Sequence, residues 1–95
     1  MYDAGWHLRK RRERLRLKYR DVEEASQRIA GERGSPEFVI GLSRLADIEN
    51  KGTVPSIYRL YSLCAIYGLD VATVLQWYGV SLSEMANDAT KPMMA

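Results

Sequence analysis

A chain of 95 residues has room for one small domain and excludes a second independent hydrophobic core. With 46% hydrophobic and 27% charged residues, its composition is that of a globular protein and excludes a wholly disordered chain. The single cysteine, Cys64, excludes an internal disulfide. Neither an apolar signal segment nor a run of about 18 apolar residues is present, which predicts a soluble, cytoplasmic protein with no membrane partner.

The net charge of +2 is unevenly distributed along the chain. Residues 1–20 hold eight basic and two acidic side chains, whereas the rest of the chain holds six basic and ten acidic ones. A basic segment of this kind fits a surface that faces phosphates, and it fits a solvated helix face equally well. Charge alone leaves both interpretations open.

The first predicted helix runs from Trp6 to Leu17 and has few apolar positions. Leu8, Arg12 and Leu15 share one of its faces, because side chains three and four residues apart are neighbours on a helix. Arg12 therefore lies on the face that should contact the core. An arginine there needs a carboxylate partner, since an unpaired buried charge is costly.

The second predicted helix begins near Tyr19 or Arg20 and ends at the glycines Gly31 and Gly34, a residue type favoured at helix C-termini. The segment from residue 35 to 41 has two interpretations. Its serine–proline–glutamate start favours a capped helical turn. Its β-branched middle and closing glycine favour an extended chain instead. Both remain open.

The third predicted helix is better defined and runs from Leu42 to Asn50. Its periodicity turns Leu45, Ile48 and Glu49 inward. An asparagine–lysine–glycine sequence ends it. This helix is short, with its polar residues gathered on the opposite face.

Two further helices and a tail complete the chain. A strongly apolar fourth helix opens at Pro55 and ends at Gly68, and a fifth runs from its N-cap Asp70 to Gly79. Residues 81–84 have the spacing of a capping box, which predicts one or two more helical turns.

Five short helices with short joins predict an all-α fold, a compact orthogonal bundle rather than an up-and-down one. The predicted domain covers residues 1–80. Residues 81–95 form a predicted C-terminal tail that is partly helical or disordered, frayed from about residue 88.

A recognisable pattern of apolar, charged and turn residues spans residues 6–79. It comprises Leu8, Arg12, Leu15, Arg20-Asp21-Val22, the block from residue 45 to 50, Pro55-Ser56, Leu60, Leu63 and Tyr67-Gly68-Leu69. This pattern resembles the lambda-repressor-like helix-turn-helix domains, specifically the xenobiotic-response-element (XRE) family of transcriptional regulators. The resemblance implies a lambda-repressor-like bundle in which residues 1–80 bind double-stranded DNA in a sequence-specific manner, acting as a homodimer.

The resemblance also implies a partner for Arg12. In such domains an arginine of helix 1 is often paired with the glutamate that closes helix 3, here Glu49. A charge-assisted and often bidentate pair would satisfy both groups and tie helix 1 to the end of the DNA-reading helix.

The sequence departs from the family at two places. About a dozen extra residues separate Val22 from Leu45, which predicts an enlarged helix 2–helix 3 connection. At the start of helix 2, Lys18, Tyr19 and Arg20 stand where family members usually have a small capping residue and a glutamine.

The outward residues of the third helix are the candidates for reading bases: Leu42, Ser43, Arg44 and Asp47. Arg44 has the donors for a bidentate bond to guanine, and Leu42 suits a thymine methyl group. Ser43 can donate or accept and is less selective. Asp47 either accepts from cytosine or orients Arg44. The alternative for this pair is a surface ion pair that binds no ligand.

The candidates for phosphate contacts form two groups. The first is the start of helix 2, where backbone amides favour anions, and the second is the loop after the reading helix. Their residues are Lys18, Tyr19 and Arg20 in the first group, and Asn50, Lys51 and Thr53 in the second.

Other residues predict no chemistry. His7 and Cys64 lack metal-ligand spacing, so we expect His7 at the surface and Cys64 in the core, with no metal and no cofactor. An aromatic set is predicted to pack helices 4 and 5 together: Tyr58, Tyr61, Tyr67, Trp77 and Tyr78.

No motif indicates an enzyme or a small-molecule effector. The alternative function is a protein-interaction or antitoxin-type module on the same fold, with the basic first helix against an acidic partner.

Overall fold

Six α-helices and one short 3₁₀ helix make up most of residues 2–89, the part of the chain that the computed structural model describes. In chain order they are α1 (Ala4–Arg14), α2 (Tyr19–Arg33), the 3₁₀ helix (Pro36–Phe38), α3 (Leu42–Asn50), α4 (Ile57–Tyr67), α5 (Val71–Trp77) and α6 (Leu82–Ala89). The predicted all-α bundle is confirmed, with six α-helices in place of about five.

The first helix is shifted towards the N-terminus relative to its prediction. It begins at Ala4 because the Asp3 carboxylate accepts a hydrogen bond from the Trp6 amide at 2.8 Å and caps the helix. It ends before Leu15, and Arg16 takes a left-handed conformation with φ 59°. Leu15 is 37% exposed, so the prediction that it shares the core face was wrong.

Both interpretations of residues 35–41 describe part of the connection. The Ser35 hydroxyl accepts from the Glu37 amide at 3.3 Å and caps the 3₁₀ helix, and an extended chain follows up to Gly41. Three side chains of α2 and α4 bind the backbone of this connection. The bonds are Ile40 N to Ser26 Oγ (2.9 Å), Ser62 Oγ to Phe38 O (2.7 Å) and Arg59 Nε to Val39 O (2.8 Å). They fix where α3 begins.

The core joins the first five helices. Its fully buried apolar side chains are Leu8, Val22, Ile40, Leu45, Ile48, Leu63 and Val74, with Tyr67 almost fully buried beside them. Gly5 lets α1 lie directly on the end of α3, since a Cβ atom there would be 2.5 Å from the Glu49 carbonyl oxygen. This close approach aligns the two helices.

The helical turns predicted after residue 81 are present. α6 has eight residues, none of them buried, and includes Asp88 and Ala89, which were predicted to fray. The rest of the predicted frayed tail, residues 90–95, lies outside the described residues. Between residues 2 and 89 no single helix has both the length and the hydropathy of a membrane span; α4 and α5 do so together, but they are bent by 116°.

Candidate nucleic-acid interface

The third helix separates its buried and exposed faces as its periodicity predicts. Leu45, Ile48 and Glu49 are buried. On the other side, Leu42 is 46% exposed, and Ser43 and Arg44 are exposed in the first turn. The four predicted base-reading residues therefore include three that solvent reaches readily. Asp47 is half-buried one turn further on.

The Arg12–Glu49 pair is present and bidentate. Arg12 Nε lies 2.7 Å from Glu49 Oε2 and Arg12 Nη2 lies 3.1 Å from Oε1. The Glu49 side chain is fully buried and that of Arg12 is 13% exposed. Its hydrogen bonds to Glu49 raise the pKa of the Arg12 guanidinium. The remaining Arg12 donor Nη1 binds the Leu17 carbonyl at 2.9 Å, so the charge is well compensated.

Tyr19, predicted as a phosphate contact at the start of α2, also joins this cluster through its side chain. Its hydroxyl donates to Glu49 Oε1 at 3.2 Å, and the Arg12 guanidinium lies 4.6 Å from the centre of its ring. Burial, and then the Glu49 charge, raises the pKa of the Tyr19 phenol. A phenol has one proton to donate, and Glu49 takes it. No local sequence pattern indicated this contact, because Glu49 lies 30 residues away along the chain.

The start of α2 carries its own anion. The Asp21 carboxylate accepts from the Lys18 amide at 2.8 Å and lies at the positive end of the helix dipole. The position predicted for a phosphate is thus shared with a carboxylate. Lys18 and Arg20 remain exposed, and neither forms an ion pair within residues 2–89.

The loop after α3 holds the second predicted group. Lys51 Nζ lies 3.4 Å from Asp47 Oδ1, so the carboxylate pairs with Lys51 and the alternative Arg44–Asp47 pair does not form. Asn50 is exposed and lies beside the Tyr19 hydroxyl, which brings this loop next to the start of α2. The Thr53 amide binds the Asp47 carbonyl at 3.4 Å and closes the loop.

Arg59 is a candidate that the sequence analysis missed. Its Nε atom is bound to the Val39 carbonyl, which leaves its terminal nitrogens free to bind an anion. Burial lowers the pKa of Arg59, the positive charge of Arg44 lowers it further, and Glu37 opposes this shift. Two guanidinium groups thus repel each other close to the start of α3. A charged residue inside an otherwise apolar helix was the signal that the sequence offered.

His7 and two of the aromatic residues differ from their predictions. His7 is half-buried and stacks on Trp77, with ring centres 4.6 Å apart, instead of lying free at the surface. Tyr58 and Tyr61 are exposed and contact Phe38 edge-on at 5.3 and 5.5 Å, so they cover the connection and do not pack α4 on α5. Cys64 is buried, as expected, and burial raises the pKa of its thiol.

Within the described part of the chain, no group of three histidine, cysteine, aspartate or glutamate residues is placed to hold a metal ion. Comparison of the chain with models of protein families, with curated proteins and with solved structures finds no match.

Proposed function

We propose that this protein binds double-stranded DNA in a sequence-specific manner and regulates transcription, with the first turns of α3 in the major groove. The observation that carries the proposal is the division of α3 into two faces. Its inner face is held by the buried Arg12–Glu49 pair, while Ser43 and Arg44 are exposed and unpaired among the described residues. A helix held rigidly by one face is suited to docking with the other.

Arg44 is the main specificity residue of this proposal. Its guanidinium donates two hydrogen bonds to O6 and N7 of a guanine, which discriminates by about 1–3 kcal/mol against the wrong base. Ser43 and Leu42 add a polar contact and a contact with a thymine methyl group. Asp47 reads a cytosine only where it exchanges its bond to Lys51 for one to the base.

Phosphates contact two sets of residues, one at each end of α3. One set comprises Lys18, Arg20, Asn50, Lys51 and Thr53, which the Tyr19 contacts bring to the C-terminal end of α3. Arg59 forms the other set near the N-terminal end, beside Arg44. A phosphate there would offset the repulsion between the two guanidinium groups.

A homodimer is proposed for the cytoplasmic, operator-bound form. Apolar side chains are exposed on α6 and around a groove of about 380 Å³ beside α4 and α5, and such a patch supports self-association. The residues are Val54, Ile57, Val71, Val80, Leu82 and Met85. We expect Met85→Glu to shift the sedimentation coefficient towards that of the monomer. If the variant is as dimeric as the parent protein, α6 is not part of the dimer interface.

Selection from random duplexes, followed by titration of the selected sequence, tests the proposal. Arg44→Ala should weaken binding to the selected site by roughly tenfold or more and relax the preference at one base pair. Arg33→Ala is a matched control, because Arg33 is exposed at the far end of α2. Absence of retention on any duplex below about 50 mM salt would contradict DNA binding and favour the protein-interaction alternative.

A further inference from the structure

A second site lies on the side of α1 that does not contact α3. A cleft of about 670 Å³ opens between α1, the α4–α5 connection and the end of α5. This volume is within the range of small-molecule sites. Its side walls combine rings with cations: Trp6, His7, Trp77, Lys10, Arg11 and Arg14.

The rings of the cleft are held in place by each other. The His7 and Trp77 rings are nearly parallel at 11°, with centres 4.6 Å apart. Trp6 stacks on Tyr2 at 3.9 Å and meets His7 edge-on at 5.1 Å. His7, Trp6 and Trp77 are all partly exposed and line the cleft. Lys10 Nζ lies 5.6 Å from the centre of the Trp6 ring. A flat ring therefore finds a preformed apolar wall at this place.

Two arginines of the cleft have donors that no described acceptor occupies, whereas Lys10 is paired with Glu13. Arg11 uses Nε to bind the Tyr67 carbonyl at 2.9 Å and keeps its terminal nitrogens. Arg14 is exposed and forms no ion pair with the described residues. The one carboxylate, Glu13, is already bound by Arg9 at 3.2 Å and approached by Lys10 at 3.7 Å. The two arginines of the cleft therefore have no free carboxylate to pair with.

We propose that this cleft binds a planar aromatic anion, a ring that carries a phosphate or a carboxylate. The ring lies against Trp6 and Trp77, and the anionic group accepts from Arg11 and Arg14, while Lys10 stays paired with Glu13. Since the occupant contacts α1 and α5 and does not touch the exposed face of α3, the site is separate from the proposed DNA interface. Its binding is therefore measurable without DNA.

Intrinsic fluorescence gives a direct test, because the two tryptophans of the chain, Trp6 and Trp77, both line the cleft. Adenosine monophosphate and benzoate serve as the phosphate and carboxylate probes, with excitation at the red edge of the tryptophan band to avoid absorption by the probes. Saturable quenching by one of them supports the proposal and identifies which anionic group is preferred. Absence of saturable quenching by both would overturn it.

Four controls separate the ring from the charge. Adenosine supplies the ring without the anion, and inorganic phosphate supplies the anion without the ring; either one binding as tightly as the complete probe would overturn the proposal. Arg14→Gln should raise the dissociation constant about tenfold, the effect of losing one charge-assisted hydrogen bond. Arg33→Gln makes an equal charge change on α2 and should leave the dissociation constant unchanged. Equal weakening in both variants would mean that the effect comes from the net charge of the protein and not from a contact with Arg14.

Discussion

At the scale of single residues, the Glu49 carboxylate determines how α3 is held. It accepts from two nitrogens of Arg12 and from the Tyr19 hydroxyl, and it is fully buried. Each donor comes from a different part of the chain, α1 and the first residue of α2. A buried carboxylate with these partners is well compensated, but it becomes costly as soon as one partner is lost.

Glu49→Gln should therefore destabilise the fold. The amide cannot match the charge of Arg12, which is then left largely buried without a counterion, and the free energy of unfolding should fall by about 3–5 kcal/mol. Urea unfolding monitored by circular dichroism measures the change. Glu24→Gln, at an exposed position of α2, is the matched control. An unchanged free energy of unfolding for Glu49→Gln would mean that the pair does not support the fold.

The Tyr78 hydroxyl makes stability depend on alkaline pH. Burial raises the pKa of this phenol from 10 to about 12, so the folded chain holds the proton more tightly than the unfolded one. The resulting stabilisation is complete below pH 10 and is lost as the pH rises towards 12. The hydroxyl has no hydrogen-bond partner among the described residues. Tyr78→Phe should thus cost little at neutral pH and lose less stability above pH 10, as measured by urea unfolding across this range. Equal alkaline losses in both proteins would contradict the assignment.

At the scale of elements, the bounds of α3 were predictable from the sequence, whereas the conformation of the connection before it was not. Its bounds follow from Gly41 before it, the asparagine–lysine–glycine stop after it, and a periodicity of 3.6 that places Leu45 and Ile48 inward. The preceding connection depends on Ser26 and Ser62, which bind backbone groups 14 and 24 residues away. Local patterns do not contain such contacts, so both conformations of residues 35–41 remained open until the tertiary structure was known.

The packing of α1 on α3 should tolerate no side chain at residue 5. A Cβ atom on Gly5 would lie 2.5 and 2.7 Å from the backbone carbonyl oxygens of Glu49 and Ile48, and backbone cannot move aside cheaply. Gly5→Ala should therefore destabilise the protein by about 1–3 kcal/mol. Gly31→Ala is the matched control: it meets nothing within 4 Å in α2 and should stabilise by about 0.5–1 kcal/mol. Stabilisation by both substitutions would mean that α1 and α3 are further apart than described.

At the scale of the whole molecule, the basic side chains of residues 1–20 lie in different environments. The basic charge of residues 1–20 had suggested a single face, and the structure divides it. Arg12 is buried in an ion pair, whereas Lys10, Arg11 and Arg14 line the aromatic cleft, where Arg11 also binds the end of α4. The net charge follows from the sequence, but the distribution of charge over the surface depends on which arginines form ion pairs or hydrogen bonds in the fold.

Arg59→Gln tests the phosphate set at the start of α3. Because the proposed contact is with phosphate, the substitution should weaken binding to all duplexes by a similar factor and lower the slope of log affinity against log salt by about 1. Fluorescence anisotropy at several salt concentrations measures both quantities. Arg44→Ala is expected to differ, with its effect concentrated on the selected site. A sequence-dependent effect of Arg59→Gln would instead make it a base contact.

The separation of α3 into a buried and an exposed face also determines which of its positions tolerate amino-acid substitution. The residues that hold the helix, Glu49, Leu45 and Ile48, are buried, whereas Ser43 and Arg44 contribute little to folding because solvent surrounds them. Substitutions at positions 43 and 44 therefore carry almost no penalty in stability. Sequence variation is free to accumulate on the outer surface of α3 while the fold persists. Under the proposed function, one or two amino-acid replacements there would change the base preference without a compensating change elsewhere.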